Sequence, residues 1–137
     1  MALICDTGVL YAAIDVNDAA HEACAALLLD PPEELVVPSP VVVELEWLVT
    51  SRMGLDQYDG FLQAIEAGSL DVWDLSRPDY ARVRDLCRRY EDLPLGLVDA
   101  SIVALAERHG ERRIATLDHR HFSVVRPRHA GAFTLLP

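Results

Sequence analysis

The first fourteen residues, MALICDTGVLYAAI (residues 1–14), carry the pattern that decides the fold. Ala2–Cys5 is a short apolar run without alternation, as in a strand buried on both faces, and it stops abruptly at Asp6. A brief helix follows over roughly Gly8–Ile14. Outward from this unit the chain keeps alternating. His21–Leu29 sets Ala20, Cys24, Leu27 and Leu28 at helical spacing. Leu35–Val37 reads as a second strand closed by Pro38 and Pro40. Val41–Met53 is a nearly all-apolar helix ended by Gly54, and Gln57–Ala67 is another with Gly68 at its end. Leu70–Leu75 reads as a strand. Pro78 then opens a helix whose Val83, Leu86, Cys87 and Tyr90 make one buried stripe. After the breaker LPLG, a helix runs from about Val98 to His109 and is capped by Gly110. Ile114–Leu117 is a strand ending at Asp118, with Val124–Val125 and Phe133–Leu135 as short edge strands. Strands alternating with helices predict an α/β fold: right-handed crossovers and a short parallel sheet flanked by helices on both faces.

The length of 137 residues suits one domain over residues 1–137, with an apolar half sufficient for a real core. No apolar run approaches the roughly 18 residues of a membrane span. The start lacks a basic segment followed by an apolar one, so it does not read as a signal peptide. Cys5, Cys24 and Cys87 lie in apolar segments without metal-type spacing, which predicts buried reduced thiols and a cytoplasmic protein.

The net charge of −10 argues against coating nucleic acid by bulk electrostatics, but its distribution says more. Residues 1–75 hold fourteen acids and a single base, Arg52, whereas residues 76–137 hold eleven arginines against eight acids. Contacts with phosphate are therefore expected from the C-terminal half. The chain has no lysine, which excludes a P-loop, a Schiff base and a lysine-assisted phosphoaspartate site.

Four acids stand out from the solvated majority. Asp6 and Asp118 each end a predicted buried strand, where open α/β sheets place their ligand sites. Glu44 is set in Val41-Val42-Val43-Glu44-Leu45, where a buried lone carboxylate would cost several kcal/mol. Asp99 begins the helix LVDASIVALA. Taken singly, Asp6 and Asp99 can be helix caps, Asp118 a turn residue, and Glu44 an arginine's partner. Glu46, about 200° around the helix from Glu44, is expected in solvent. If the four converge, two charges about 4 Å apart repel by roughly 4 kcal/mol at an effective dielectric near 20. Such a cluster persists by sharing protons or holding cations, and hard oxygen ligands suit Mg²⁺ or Mn²⁺. A carboxylate-held divalent ion points to phosphodiester hydrolysis.

The pattern resembles PIN-domain ribonucleases, and among them the VapC-type toxins of toxin–antitoxin pairs. The resemblance runs almost end to end: Asp6-Thr7 after the first strand, VVVELEW around Glu44, DLPLGLVDASIVALAER around Asp99 and TLDHRHFSVVRP around Asp118. It implies a Mg²⁺-dependent endoribonuclease, with Mn²⁺ able to substitute. Asp6 and Asp99 would be the principal metal ligands, Glu44 and Asp118 would complete the acidic site directly or through water, and Thr7 would orient ligands or water. It further implies a homodimer and a cognate antitoxin. For RNA contact the candidates are Arg112, Arg113, Arg120 and Arg126, which flank the strand and loop presenting Asp118.

Other features carry less. His119 and His121 on one short loop make a poor zinc cage, and packing is the simpler role for His121. The arginines at 82, 84, 88 and 89 fall on two helix flanks, where Arg89 can pair with Asp85. Trp47 and Trp73 are expected in the core. A phosphoaspartate phosphatase or receiver module would need the second acid or the lysine that this chain lacks. A non-catalytic PIN-like binding module would be expected to have lost one of the four acids, and a DNA-directed nuclease is set apart only by family habit.

Overall fold

The structure, a computed structural model, describes residues 1–137. The chain opens with β1 (Ala2–Cys5), α1 (Thr7–Ile14), α2 (His21–Leu29) and β2 (Glu34–Pro38). It continues through α3 (Ser39–Arg52), α4 (Leu55–Glu66), β3 (Asp71–Trp73), α5 (Arg77–Arg89) and α6 (Leu97–His109). The last elements are β4 (Arg113–Ala115), α7 (His119–Val124) and β5 (Thr134–Leu136). All five strands are parallel, in the order β3-β2-β1-β4-β5. Successive strands step outward from β1 to one edge, and the chain then returns to β4 on the other side of β1. The reversal puts the switch point between β1 and β4, so their carboxyl ends open a crevice. No helix is long and apolar enough to cross a membrane.

Burial follows from this topology. Every residue of β1 is buried, as a central parallel strand demands. The helix α6 is buried continuously from Ala100 to Ala106, so it is covered on all sides. Its alanines let neighbouring elements approach closely. Gly110 ends this helix at φ 71°, a left-handed conformation in which a side chain would be strained. The segment α5 starts at a capping box in which Ser76 and Asp79 bond each other's backbone.

Three expectations need correction. Pro38 and Pro40 close a strand and also open α3, with Pro38 at the N-cap and Pro40 in the first turn, where a missing N–H costs nothing. Val124–Val125 is not an edge strand: Asp118 caps the backbone N–H of His121 and folds His119–Val124 into α7, which buries Phe122. Trp47 is 66% exposed rather than core, because α3 turns Val41, Leu45 and Val49 inward and leaves Val43, Glu44 and Trp47 outside. The cysteines are free, with Cys5 and Cys24 buried and Cys87 half-buried.

The two faces of α3 are separable by substitution. Leu45→Ala should lower stability in urea unfolding by roughly 2–5 kcal/mol, since the fully buried side chain leaves a cavity. Val43→Ala, two residues away and 70% exposed, should stay within about 0.5 kcal/mol of the parent. Equal losses would mean that the helix is rotated from this arrangement.

Candidate active site

Asp6 sits at the carboxyl end of β1, 7% exposed, as the N-cap of α1. Both of its carboxylate oxygens are engaged. Oδ1 accepts from the Thr7 backbone N–H at 2.8 Å, and Oδ2 accepts from the Thr116 hydroxyl at 2.8 Å. Thr116 lies just past β4, fully buried, and its Oγ1 also accepts from the Asp118 backbone N–H at 2.9 Å. A single hydroxyl at the switch point thus ties together the turns that carry Asp6 and Asp118.

Asp118 caps α7 through Oδ1, which accepts from the His121 N–H at 3.0 Å. Its Oδ2 is 2.8 Å from the ring Nδ1 of His121. The same Nδ1 is 2.8 Å from Oδ2 of Asp99 in the first turn of α6. Nε2 of His121 lies 3.1 Å from the Leu93 carbonyl, which can only accept, so that nitrogen donates. Nδ1 faces both carboxylates at once. His121 is therefore a bridge between two acids as well as the packing residue expected.

Glu44 projects from the exposed side of α3 and has no hydrogen-bond or ion-pair partner. Its neighbours in sequence are apolar, yet the helix turns it out into the mouth of the site. One cavity is lined by Asp6, Thr7, Gly8, Glu44, Leu48, Asp99, Leu117 and Asp118. All four acids and Thr7 are thus brought together, by four different segments. Thr7 Oγ1 is buried without a partner.

No arginine pairs with any of the four acids. The arginine ion pairs lie elsewhere, at Arg82–Glu107, Arg108–Asp79, Arg113–Glu33 and Arg128–Asp85. Helix geometry supplies partial compensation: Asp6 and Asp118 are N-caps and Asp99 is in a first turn, each favoured by about 0.3–1 kcal/mol from the helix dipole. Even so, burial first, and then the charges of Asp99 and Glu44, raise the Asp6 pKa to about 6, against opposing hydrogen bonds from Thr116 and Thr7. Asp99 is raised too, chiefly by burial, while His121 pulls it down.

The donor set fits a hard divalent cation. Carboxylates in excess of local positive charge, and a buried hydroxyl with nothing to bond, are what an oxygen-ligated ion would satisfy. Carboxylate oxygens of Asp99 and Asp118 lie within 4.8 Å of one another, close enough to share one ion.

The arginine candidates divide. Arg120 is exposed in the first turn of α7, two residues from Asp118, and Arg126 is exposed just beyond the far end of that helix. Arg112 and Arg113 are not brought to the site: they sit at the amino end of β4, level with Leu3, and Arg113 faces Glu33 at 3.5 Å. A strand rising about 3.3 Å per residue separates them from the carboxyl edge. Sequence reasoning missed Thr116 and gave His121 too small a part. Both lie in TLDHRH, with Thr116 two residues before Asp118 and His121 three after it.

The raised Asp6 pKa has a sign that can be measured. Below about pH 4 folded and unfolded chains both hold the proton; between about pH 4 and 6 only the folded chain does, so stability falls as pH rises through that window. Above it the contribution is of order 3 kcal/mol unfavourable. In EDTA, Asp6→Asn should match the parent near pH 4 and exceed its stability by up to about 3 kcal/mol near pH 7. A difference that does not change with pH would contradict this environment for Asp6.

Comparison with known proteins agrees with this geometry. The family model described as PIN domain matches residues 3–126. Ribonuclease VapC26 of Mycobacterium tuberculosis is 36% identical over 138 aligned positions, spanning 98% of this chain and 100% of that protein. The crystal structure of Mycobacterium tuberculosis VapC20, a Sarcin-Ricin loop cleaving toxin, has a TM-score of 0.79 at 18% identity, covering 87% of this chain and 92% of that one. VapBC2 from Rickettsia felis, bound to a DNA fragment from its promoter, gives a TM-score of 0.69 at 20% identity, with 100% of both chains covered. With the matched residues containing all four acids, the chain belongs to the PIN-domain family.

Proposed function

We propose that the chain is a divalent-metal-dependent endoribonuclease of VapC type, the toxin of a toxin–antitoxin pair. One observation carries the chemistry: four carboxylates from four segments line one cavity at the sheet's carboxyl edge, with no arginine among its lining residues. Full-length similarity to a named ribonuclease supports RNA as the substrate, and likeness to toxin–antitoxin assemblies supports a small antitoxin as partner. Mg²⁺, with Mn²⁺ able to take its place, would be held by Asp6 and Asp99, and by Glu44 and Asp118 directly or through water. When bound it supplies Lewis-acid stabilisation of the phosphodiester's charge and a water of lowered pKa.

The side chains divide the remaining work. Asp6 has both oxygens oriented by Thr7 and Thr116, so it is a fixed donor group rather than a mobile base. Glu44, exposed and unpartnered, has carboxylate oxygens free to take a proton from the attacking water. His121 holds the Asp99 and Asp118 carboxylates in register, and the Thr7 hydroxyl is free to bond a ligand or water. Arg120 is an exposed cation in the first turn of α7, two residues from Asp118. Free cysteines fit a reducing cytoplasm, the compartment in which RNA would be met. Pairing with a second copy of the chain belongs to the same proposal, and exposed Val43, Trp47, Tyr80 and Leu97 beside Glu44 offer it an apolar surface.

The test is digestion of total RNA by the purified protein, with 5′ ends sequenced. Cleavage should require Mg²⁺ or Mn²⁺, stop in EDTA, and fall at least about a hundredfold in Asp99→Asn. Glu46→Gln, altered on the opposite side of α3, should cleave like the parent. Mn²⁺ at a hundred times its dissociation constant should stabilise the parent by about 2.7 kcal/mol and leave an Asp6→Asn, Asp99→Asn double variant unmoved. Retained cleavage in Asp99→Asn, or an equal stabilisation of both proteins, would overturn the assignment.

A further inference from the structure

We infer that Arg52 is a phosphate-binding residue for the RNA strand, set on the α1–α3 side of the cavity and held there by Tyr11. The inference rests on the ribonuclease reading and adds to it a phosphate contact from the N-terminal half, where the charge distribution offers almost no bases. Arg52 is the only lysine or arginine in the first 75 residues, which hold fourteen acids. It makes no ion pair and is exposed, so its charge is not spent within the fold. Its guanidinium carbon instead lies 5.2 Å from the centroid of the Tyr11 ring. The contact steadies a long side chain while leaving its N–H edges open to a ligand. Tyr11 is fixed in turn, because its hydroxyl donates to Asp15 Oδ2 at 3.0 Å.

The position relative to the reacting centre follows from helix periodicity. Glu44, Leu48 and Arg52 are spaced i, i+4, i+8 and share one side of α3. Thr7 and Tyr11, spaced i, i+4, share one side of α1. The two helices pack together, and Glu44, Leu48, Thr7 and Gly8 all line the cavity. The Arg52–Tyr11 pair therefore lies one helical turn beyond Leu48 and Thr7, outside the cavity lining and on the side of it away from the sheet's carboxyl edge. Eight residues of helix place Arg52 about 12 Å from Glu44. At roughly 3.4 Å per stacked nucleotide, that distance is a reach of three to four nucleotides. With Arg120 on the α7 side, a strand crossing the carboxylates then meets a cation on each flank.

The experiment measures binding of a randomised single-stranded RNA pool of about twelve nucleotides by fluorescence anisotropy in Mg²⁺, across salt concentrations. Asp99→Asn keeps the RNA intact and serves as the reference, with Arg52→Ala and Arg52→Lys added to it. Arg52→Ala should weaken binding about fivefold and reduce the salt slope by about 0.7, evenly across sequences, while Arg52→Lys keeps most of the slope. In the chain with Asp99 intact, Arg52→Ala should raise KM with kcat unchanged and keep the full Mn²⁺ stabilisation, since it touches no metal-binding side chain. Unchanged affinity and slope would overturn the role of Arg52, as would a loss of kcat or of Mn²⁺ stabilisation without a change in slope. A parent that cleaves no RNA would overturn the ribonuclease reading instead, and the anisotropy would still decide whether Arg52 holds a phosphate.

Discussion

Repulsion among carboxylates at one edge of a parallel sheet is the constraint around which this molecule is arranged. Two carboxylate charges about 4 Å apart would repel by roughly 4 kcal/mol at an effective dielectric near 20, a large fraction of the roughly 5–15 kcal/mol that holds a domain folded. The acids come from β1–α1, α3, α6 and the β4–α7 turn, so no short segment carries the whole cost locally. Three of them sit at helix N-termini, where backbone N–H groups favour negative charge. The buried helix α6 and the fully buried β1 supply rigid mounts, which a crowded site needs if its members are not to splay apart.

Two residues ration the local hydrogen bonding. Thr116 donates a hydrogen bond from its hydroxyl to Asp6 and accepts one from the Asp118 backbone N–H, which fixes the spacing across the switch point between β1 and β4. His121 stands between Asp99 and Asp118 and ties the two carboxylates together through one ring nitrogen. What they leave unsatisfied is informative. Glu44 has no partner, Thr7 Oγ1 is buried without one, and Asp6 keeps a pKa raised to about 6. Under the proposed function, bound divalent charge would remove all three deficits together.

Much of this was legible in the sequence because the strongest signals are local. The unbroken apolar run ALIC halted by an acid marks a central strand and its ligand edge, and Gly110 ends α6 where a left-handed residue is needed. Glu44 was found for a partly mistaken reason, since its apolar neighbours in sequence are not its neighbours in space: α3 buries Leu45 and exposes Val43. Trp47 was misplaced by the same assumption. The helix α7 was hidden because its Asp118 cap competes with a β-branched pair, and that cap also moves Asp118 beyond β4 instead of to its last residue. Arg112 and Arg113 neighbour Asp118 in the chain but lie at the opposite edge, which only strand direction reveals. Long-range links such as Thr116 to Asp6, 110 residues apart, leave no local trace.

The claim that crowding is relieved by a bound divalent ion is tested most directly by the titration of Asp6 itself. Carboxyl carbon shifts followed by NMR give its midpoint in EDTA and in saturating Mg²⁺. The expected midpoint is about 6 without metal, moving to or below the ordinary value near 3.9 when Mg²⁺ is bound. A midpoint already near 3.9 in EDTA, or one that stays near 6 in saturating Mg²⁺, would contradict it.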